Sequence, residues 1–289
     1  MKKQKHRHHG TRPVRAEMRP AAANVQGGAA VSSPKKILIA IPAYTGQVHY
    51  TTLGALNLAY SEAAKAGWEI GLSIRSTDSI ISRARNVAVA DLLRSDCTDL
   101  LFLDADVGFG PGVFTRLMSH QVELVCGIYP VRALPENYPV RPLKNWLAYD
   151  ANGLMEVEAA PTGLMRITRA ALEAVVGAHS DEWYEDPTAP GLRIPNVFDF
   201  QLVEHEYWSE DYTFCKRYAA TGGKVWIDPD LALTHAGDTT YKGHFGEFLR
   251  RKLAESQAGA ASPSAPAPRP VARPATLSEL VRSTIDNAA

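Results

Sequence analysis

Two carboxylates stand one residue apart in the stretch LLFLDADVGF, at Asp104 and Asp106, and they end an apolar run. Acidic side chains do not continue a buried strand cheaply. Paired oxygen donors at a strand end suit a hard divalent ion such as Mg²⁺ or Mn²⁺, with substrate phosphates filling further positions. The plainer alternative is a turn or helix-capping acid, since Asp favours both. Downstream, Glu210 and Asp211 in SEDYTFC fall in the first turn of a helical segment. The helix dipole alone favours acids there; a carboxylate facing a cleft would instead take a proton from an attacking hydroxyl.

His235 in LTHAGD closes a short apolar strand, either as a neutral metal ligand or as an ordinary satisfied histidine. Lys242 and His244 follow in TTYKGH, facing phosphate or solvent. Arg83, Arg85 and Asn86 open a helix just past a strand edge. Arginine suits bidentate phosphate contacts, and Asn a base or ribose. The two arginines face different ways on a helix, so at most one serves the site. The other is solvated or paired to an acid.

These side chains need a scaffold, and the hydrophobic pattern supplies one. Residues 35–44 read as a short buried strand ended by Pro42, 50–67 as a helix ending at Gly67, and 68–75 as a second strand. Residues 80–96 are helical, with Ile81, Ala84, Val87, Ala88 and Leu92 inward. TDLLFLDADV is the third strand, 111–120 a helix with Pro111 at its first position, and 123–130 a fourth strand. Residues 160–177 read as strand then helix, 209–223 as a helix ending at a Gly pair, and KVWIDPDLALTHAG as two short strands. Strands alternating with helices argue for a parallel, doubly wound sheet. Ligands of such sheets bind outside the carboxyl ends of the strands, which is where Asp104 and Asp106 emerge.

Composition sets outer limits. The 289 residues are 45% hydrophobic and 21% charged, an ordinary globular balance. The formal net charge of +0 gives no global argument for nucleic acid or membrane. The first 20 residues are the exception, with seven Lys or Arg and one Glu. Cys97, Cys126 and Cys215 are widely spaced with no CxxC pair, so no disulfide framework or cysteine zinc site is expected. No apolar run reaches the roughly 18 residues of a membrane span, and the basic start lacks a signal-peptide core. A cytoplasmic protein is expected. Its organisation reads as a disordered basic arm (1–34), one domain (35–256), a Pro/Ala-rich linker (257–275) and a short helix (276–289). Thr276 and Glu279 make a capping box, and Leu277, Leu280, Val281 and Ile285 share a face suited to docking on a partner through 276–286.

Taken in order, IAIPAY, LFLDADV, PTGLMRITRAAL, SEDYTFCKR and THAG resemble the nucleotide-sugar-dependent glycosyltransferases of the GT-A fold, family 2-like. RARNVAVADLL followed by LFLDADV is also locally similar to fungal mannosyltransferases of the alpha-1,6-mannan polymerase type. The resemblance covers about 35–245. It implies a Rossmann-like, mixed but mostly parallel sheet flanked by helices, and transfer from a UDP- or GDP-sugar assisted by Mn²⁺ or Mg²⁺. Asp106 would bind the metal, Asp104 the ribose or the metal through water, and His235 the metal or diphosphate. Asp211, with Glu210 beside it, would be the base of an inverting transfer. Tyr44 and Thr45 would border the nucleotide base, and Gly163 would let the backbone approach the sugar. Asp78 is a displaced candidate for the acid that many members carry after the second strand. Residues 131–158 match nothing in the family and are expected to form a loop or flap over the acceptor. Trp183, Tyr184, Tyr207 and Trp208 are candidates to stack on a sugar. The acceptor would be a glycan, a glycoconjugate or, given the basic arm, modified DNA.

Two rival readings use the same letters. LLFLDADVG also fits the first motif of haloacid-dehalogenase-type phosphatases, with Asp104 as nucleophile, although two strand–helix units precede it and Asp228 and Asp230 are poor substitutes for the late acidic pair. The other is a catalytically silent nucleotide-sugar-binding module.

Overall fold

A computed structural model describes residues 35–76, 78–143, 148–186 and 190–261. The basic arm, the 276–286 helix and most of the Pro/Ala stretch lie outside the described residues. Among the described residues, eight strands form the main sheet. They are β1 (Lys36–Ala43), β2 (Glu69–Ser76), β3 (Asp99–Leu103), β5 (Leu124–Gly127), β6 (Arg141–Pro142), β7 (Met155–Ala159), β8 (Leu164–Thr168) and β13 (Val225–Asp228). Their order is β2-β1-β3-β8-β5-β13-β7-β6. β1, β2, β3, β5, β13 and β6 run one way, and β7 and β8 the other. The fold is therefore α/β, a mixed and mostly parallel sheet flanked by helices. It is not the uniformly parallel sheet that the strand–helix alternation suggested, because β8 enters antiparallel between β3 and β5.

The helices are α1 (Tyr50–Ala66), α2 (Ile81–Arg94), α3 (Val113–Ser119), α4 (Arg169–Ala178), α5 (Glu210–Ala220) and α6 (Phe245–Ala261). Strand alternation sends successive side chains to opposite faces. Leu101 and Leu103 of β3 pack with α1 and α3. Leu100 and Phe102 pack with α2, α4 and α5. All four are fully buried, so β3 is the most enclosed part of the scaffold and a rigid mount for the turn that carries the two aspartates.

Several boundaries move for physical reasons. β1 runs through Pro42 to Ala43, because β3 pairs only with Ile37 to Ala40 and a missing N–H beyond that point breaks no bond to it. The DADV strand breaks: β3 stops at Leu103, and β4 (Val107–Phe109) belongs to a second sheet with β14 (Ala232–Ala236) and β15 (Thr240–His244). Pro111 is not the first residue of α3, which begins after Gly112. The Glu62 carboxylate of α1 accepts from the Gly112 and Thr115 N–H groups and the Thr115 hydroxyl, capping α3 from another helix.

The stretch 131–158 is not all loop, since it holds β6 and β7. Four short strands form two hairpins: β9 (Trp183–Glu185) with β10 (Arg193–Pro195), and β11 (Gln201–Val203) with β12 (Glu206–Trp208). Both hairpins lie in a region too irregular for the sequence pattern to show. α6 continues through Ala261, past the expected domain end at 256, where Ala258, Ala260 and Ala261 favour helix against the cost of Gly259. The three cysteines are buried free thiols. No helix among the described residues is long and apolar enough to cross a membrane.

Candidate active site

The turn after β3 is closed by one internal hydrogen bond and pegged from three sides. Asp104 N–H donates to the Gly163 carbonyl at 3.0 Å, and Val107 N–H closes back on the Asp104 carbonyl at 3.1 Å. His49 N–H reaches the Ala105 carbonyl at 2.8 Å, and Ala236 N–H the Asp106 carbonyl at 2.8 Å. The first strand–helix loop, the residue before β8 and the end of β14 therefore all hold one turn. The two carboxylates leave it toward different partners.

Asp104 meets Arg85. Nη2 of Arg85 donates to Oδ1 at 3.1 Å and to Oδ2 at 3.4 Å. Nε of the same guanidinium donates to Oε1 of Glu210 at 3.1 Å. This buried arginine joins the end of β3 to the start of α5. Burial alone would lower the pKa of the guanidinium, but the charges of Asp104, Glu210 and Asp211 raise it. Its Nη1 is a buried donor without a partner among the described residues.

Asp211 follows Glu210 in the first turn of α5. Its Oδ1 accepts from the Ser209 hydroxyl and from its neighbour's N–H, Tyr212, at 2.9 Å. Burial, then the adjacent Glu210 charge, pushes its pKa from the ordinary 3.8 up to about 6, against the pull of Ser209 and Arg85.

Asp106 meets His235 and Arg132. Oδ1 lies 3.7 Å from His235 Nε2, and Oδ2 lies 2.9 Å from Arg132 Nη2. The Nδ1 of His235 is 2.9 Å from the Pro130 carbonyl. A carbonyl only accepts, so Nδ1 donates to it, and Nε2 is the ring nitrogen turned toward Asp106. This donor set, Asp106 with a carbonyl-oriented imidazole, fits a divalent ion that takes its remaining ligands from phosphate and water. Asp104, Asp106 and His235 do not form a ready three-ligand cluster; none is found among the described residues. Asp104 departs from that set because Arg85 holds it.

The other expected residues divide clearly. Thr45 lines an open groove of about 550 Å³ with Gln47, Val48, His49, Tyr50, Ala105 and Asp106, and Tyr44 stands exposed beside it in the same turn. Arg83 pairs with Asp78, at 2.8 Å from Nη2 to Oδ1. Asp78 also accepts the Ile80 N–H at 3.1 Å, fixing the start of α2. Burial would raise the Asp78 pKa, but Arg83 and this N–H hold it low. Asp78 is thus spent on structure.

Asn86 is taken up by the fold instead of being left for a base or ribose. Its Nδ2 donates to Asn196 Oδ1 at 3.0 Å and the Phe198 carbonyl at 2.9 Å, and its Oδ1 accepts from Val197 and Phe198 N–H at 3.0 and 2.8 Å. Asn86→Ala would strand two buried backbone donors and lower stability by about 3 kcal/mol. Chemical denaturation checks this, and a loss within about 0.5 kcal/mol would contradict the assignment.

Gly163 is required by packing. A Cβ there would run into the Tyr129 ring, which in turn packs edge-on against His235 at 4.8 Å. Lys242 pairs with Thr234 across β14 and β15, and so shares the sheet face opposite to His235. Trp208 is buried beneath Arg141, 4.4 Å from its ring, while Tyr207 is exposed and stacks on Phe200 at 5.7 Å. Tyr184 packs against α2, and Trp183, though exposed, has the Arg193 guanidinium 4.0 Å from its ring. Asp228 is fully buried and taken by Arg116 and His120, at 2.6 and 2.8 Å, so it supplies no acid pair for the phosphatase reading. Arg132 is a site residue that sequence reasoning missed. It lies in the segment without a family counterpart, and a lone arginine in a Pro-rich loop carries no periodic signal.

No protein family and no curated protein matches the sequence. Solved structures overlap with it loosely. A197 from STIV superposes with a TM-score of 0.43 at 20% identity, over 70% of this chain and 86% of that one. GalNAc-T7, crystallised with UDP, GalNAc and Mn²⁺, gives 0.41 at 12% identity, over 70% and 43%. A glycosyltransferase involved in glycosylation of the major capsid of PBCV-1 gives 0.27 at 14%, over 48% and 63%.

Proposed function

We propose that the chain is a GT-A-type glycosyltransferase that moves a sugar from a UDP- or GDP-sugar to an acceptor hydroxyl, with inversion. The observation that carries this reading is the bridge by Arg85, whose buried guanidinium joins Asp104 to Glu210, the neighbour of Asp211, in one partly buried constellation. In the proposed site the nucleotide lies in the groove beside Thr45 and Asp106. Asp106 and His235 would hold Mn²⁺ or Mg²⁺, and Asp104 would accept from the ribose hydroxyls. When bound, the ion offsets the charge that builds on the departing diphosphate. The unpartnered Nη1 of Arg85 is a further donor for a polar ligand.

Asp211 acts as base. As the acceptor oxygen bonds to the anomeric carbon, the carboxylate takes the hydroxyl proton and the bond from that carbon to the diphosphate oxygen breaks. A carboxylate titrating near 6 is a stronger base than an ordinary one and is still ionised at about pH 7. The phosphatase alternative loses ground here, because an Asp104 bonded through both oxygens to Arg85 is a poor nucleophile.

Asp106→Ala is expected to lower ion-dependent turnover of the donor by about 10³-fold. The measurement is a screen of UDP- and GDP-sugars for Mn²⁺- or Mg²⁺-dependent hydrolysis or transfer, wild type beside variant. Full ion-dependent activity in Asp106→Ala would end the reading.

A further inference from the structure

Arg132 lies in the stretch after β5 that the resemblance left without a role. Its Nη2 is 2.9 Å from Asp106 Oδ2, while Oδ1 of that carboxylate faces His235 Nε2 at 3.7 Å. Two residues earlier, the Pro130 carbonyl fixes the His235 ring. One short segment therefore both aims the imidazole and neutralises the carboxylate beside it. The segment is tied on its other side, where Val131 N–H donates to the Asn137 carbonyl at 2.9 Å.

The arm of Arg132 passes over Gly237, where an added Cβ would stand 2.8 Å from Arg132 Cδ. The lack of a side chain at 237 makes room for it. The Arg132 side chain is nonetheless 48% exposed. Ion pairs this open are held by a factor of about five at most. A divalent ion and this guanidinium are competing partners for Asp106.

We infer that Arg132 is a positioning residue that exchanges partners: its guanidinium yields Asp106 to the ion and moves onto the diphosphate when ion and nucleotide arrive together. This rests on the nucleotide-sugar reading of the site. An ion arriving alone must displace the guanidinium and leave it without its carboxylate. With a nucleoside diphosphate present, phosphate oxygens offer the guanidinium a planar, bidentate partner. Ion and nucleotide then bind better together than apart, and the coupling is reciprocal.

The test is calorimetric titration of Mn²⁺ into the full chain, alone and with saturating UDP or GDP. It compares wild type, Arg132→Met, Gly237→Ala and Asp106→Asn, with thermal melts to confirm that each is folded. Arg132→Met should bind Mn²⁺ alone about five-fold tighter. The tightening of Mn²⁺ binding by nucleotide should shrink about ten-fold in the same variant. Gly237→Ala crowds the arm off Asp106 without removing its charge. It should tighten Mn²⁺ binding alone while keeping nucleotide affinity. If wild type shows Asp106-dependent Mn²⁺ binding but Arg132→Met changes neither affinity nor coupling, the exchange is overturned and the nucleotide-sugar reading stands. If Mn²⁺ binding depends on Asp106 but neither nucleotide binds, both are overturned.

Discussion

Asp211→Asn is expected to cut sugar transfer by about 10³-fold while making the protein more stable at about pH 8. The two effects have one cause. Burial and the neighbouring Glu210 charge raise the Asp211 pKa from 3.8 to about 6 on folding. For an acid, a raised folded value means that the ionised form is disfavoured in the native state. Its contribution to stability is therefore fully present below about pH 4 and lost as pH rises through about 6. Asn resembles the protonated acid: its carbonyl oxygen can accept from Ser209 and from the Tyr212 N–H, but it carries no charge.

The difference in stability between variant and wild type should be near zero at about pH 4. It should climb between about pH 4 and 7 and level off at about 3 kcal/mol in favour of Asn. Denaturant titrations across that range measure it. Wild-type kcat/KM should fall on the acid side with a midpoint near 6. Donor binding by Asp211→Asn should persist. A variant that transfers sugar at the wild-type rate would remove Asp211 as base, and a stability difference that does not change with pH would remove the physical basis for its raised pKa.

The second large effect is at Arg85. Arg85→Met keeps the aliphatic bulk and deletes the only cation that touches Asp104 and Glu210 among the described ion pairs. Removing one partner of a buried ionic group leaves uncompensated charge and costs about 3–5 kcal/mol. For a domain of this size that is a Tm lower by roughly 10 °C. The remaining acids should hold their protons more tightly, so any residual activity should show an acid limb above about 6. Arg85→Lys keeps the charge but lacks the planar fork that reaches both carboxylates, and should recover only part of the lost stability. A melting curve for Arg85→Met that overlays the wild type would show that this bridge does not hold β3 to α5.

The local elements were legible in the sequence wherever hydrophobic period is strong. β1, α1, β2, α2 and the body of β3 fall within a residue or two of their expected spans, and the helix expected over 209–223 begins at Glu210 and ends three residues early, at Ala220. Asp104 and Asp106 were legible as the end of β3 because four fully buried residues precede them and charge cannot follow into that core. Sequence pattern failed at 183–208 and in the stretch after β5, where strands of two to five residues are too short to show a period.

What no local pattern carries is partnership across the chain. α2 looked like a helix with one inward face and a polar start. The structure buries Arg85 and Asn86 as well, because β10 and the 196–198 turn cover the side away from the sheet. That covering turned Asn86 from a candidate ligand contact into a clamp on a loop, and made Arg85 a bridge. Neither assignment can be made without knowing that residue 85 meets residue 210, or residue 86 residue 197. By itself, then, the sequence determined the α/β layering and the strand end that carries the two aspartates. Tertiary structure decided how the charges are shared: Asp104 goes to Arg85, Asp106 to His235 and Arg132, and Asp211 to a site buried enough to raise its pKa. Periodicity is a property of neighbouring residues, whereas charge compensation and desolvation depend on which distant residues the fold brings together.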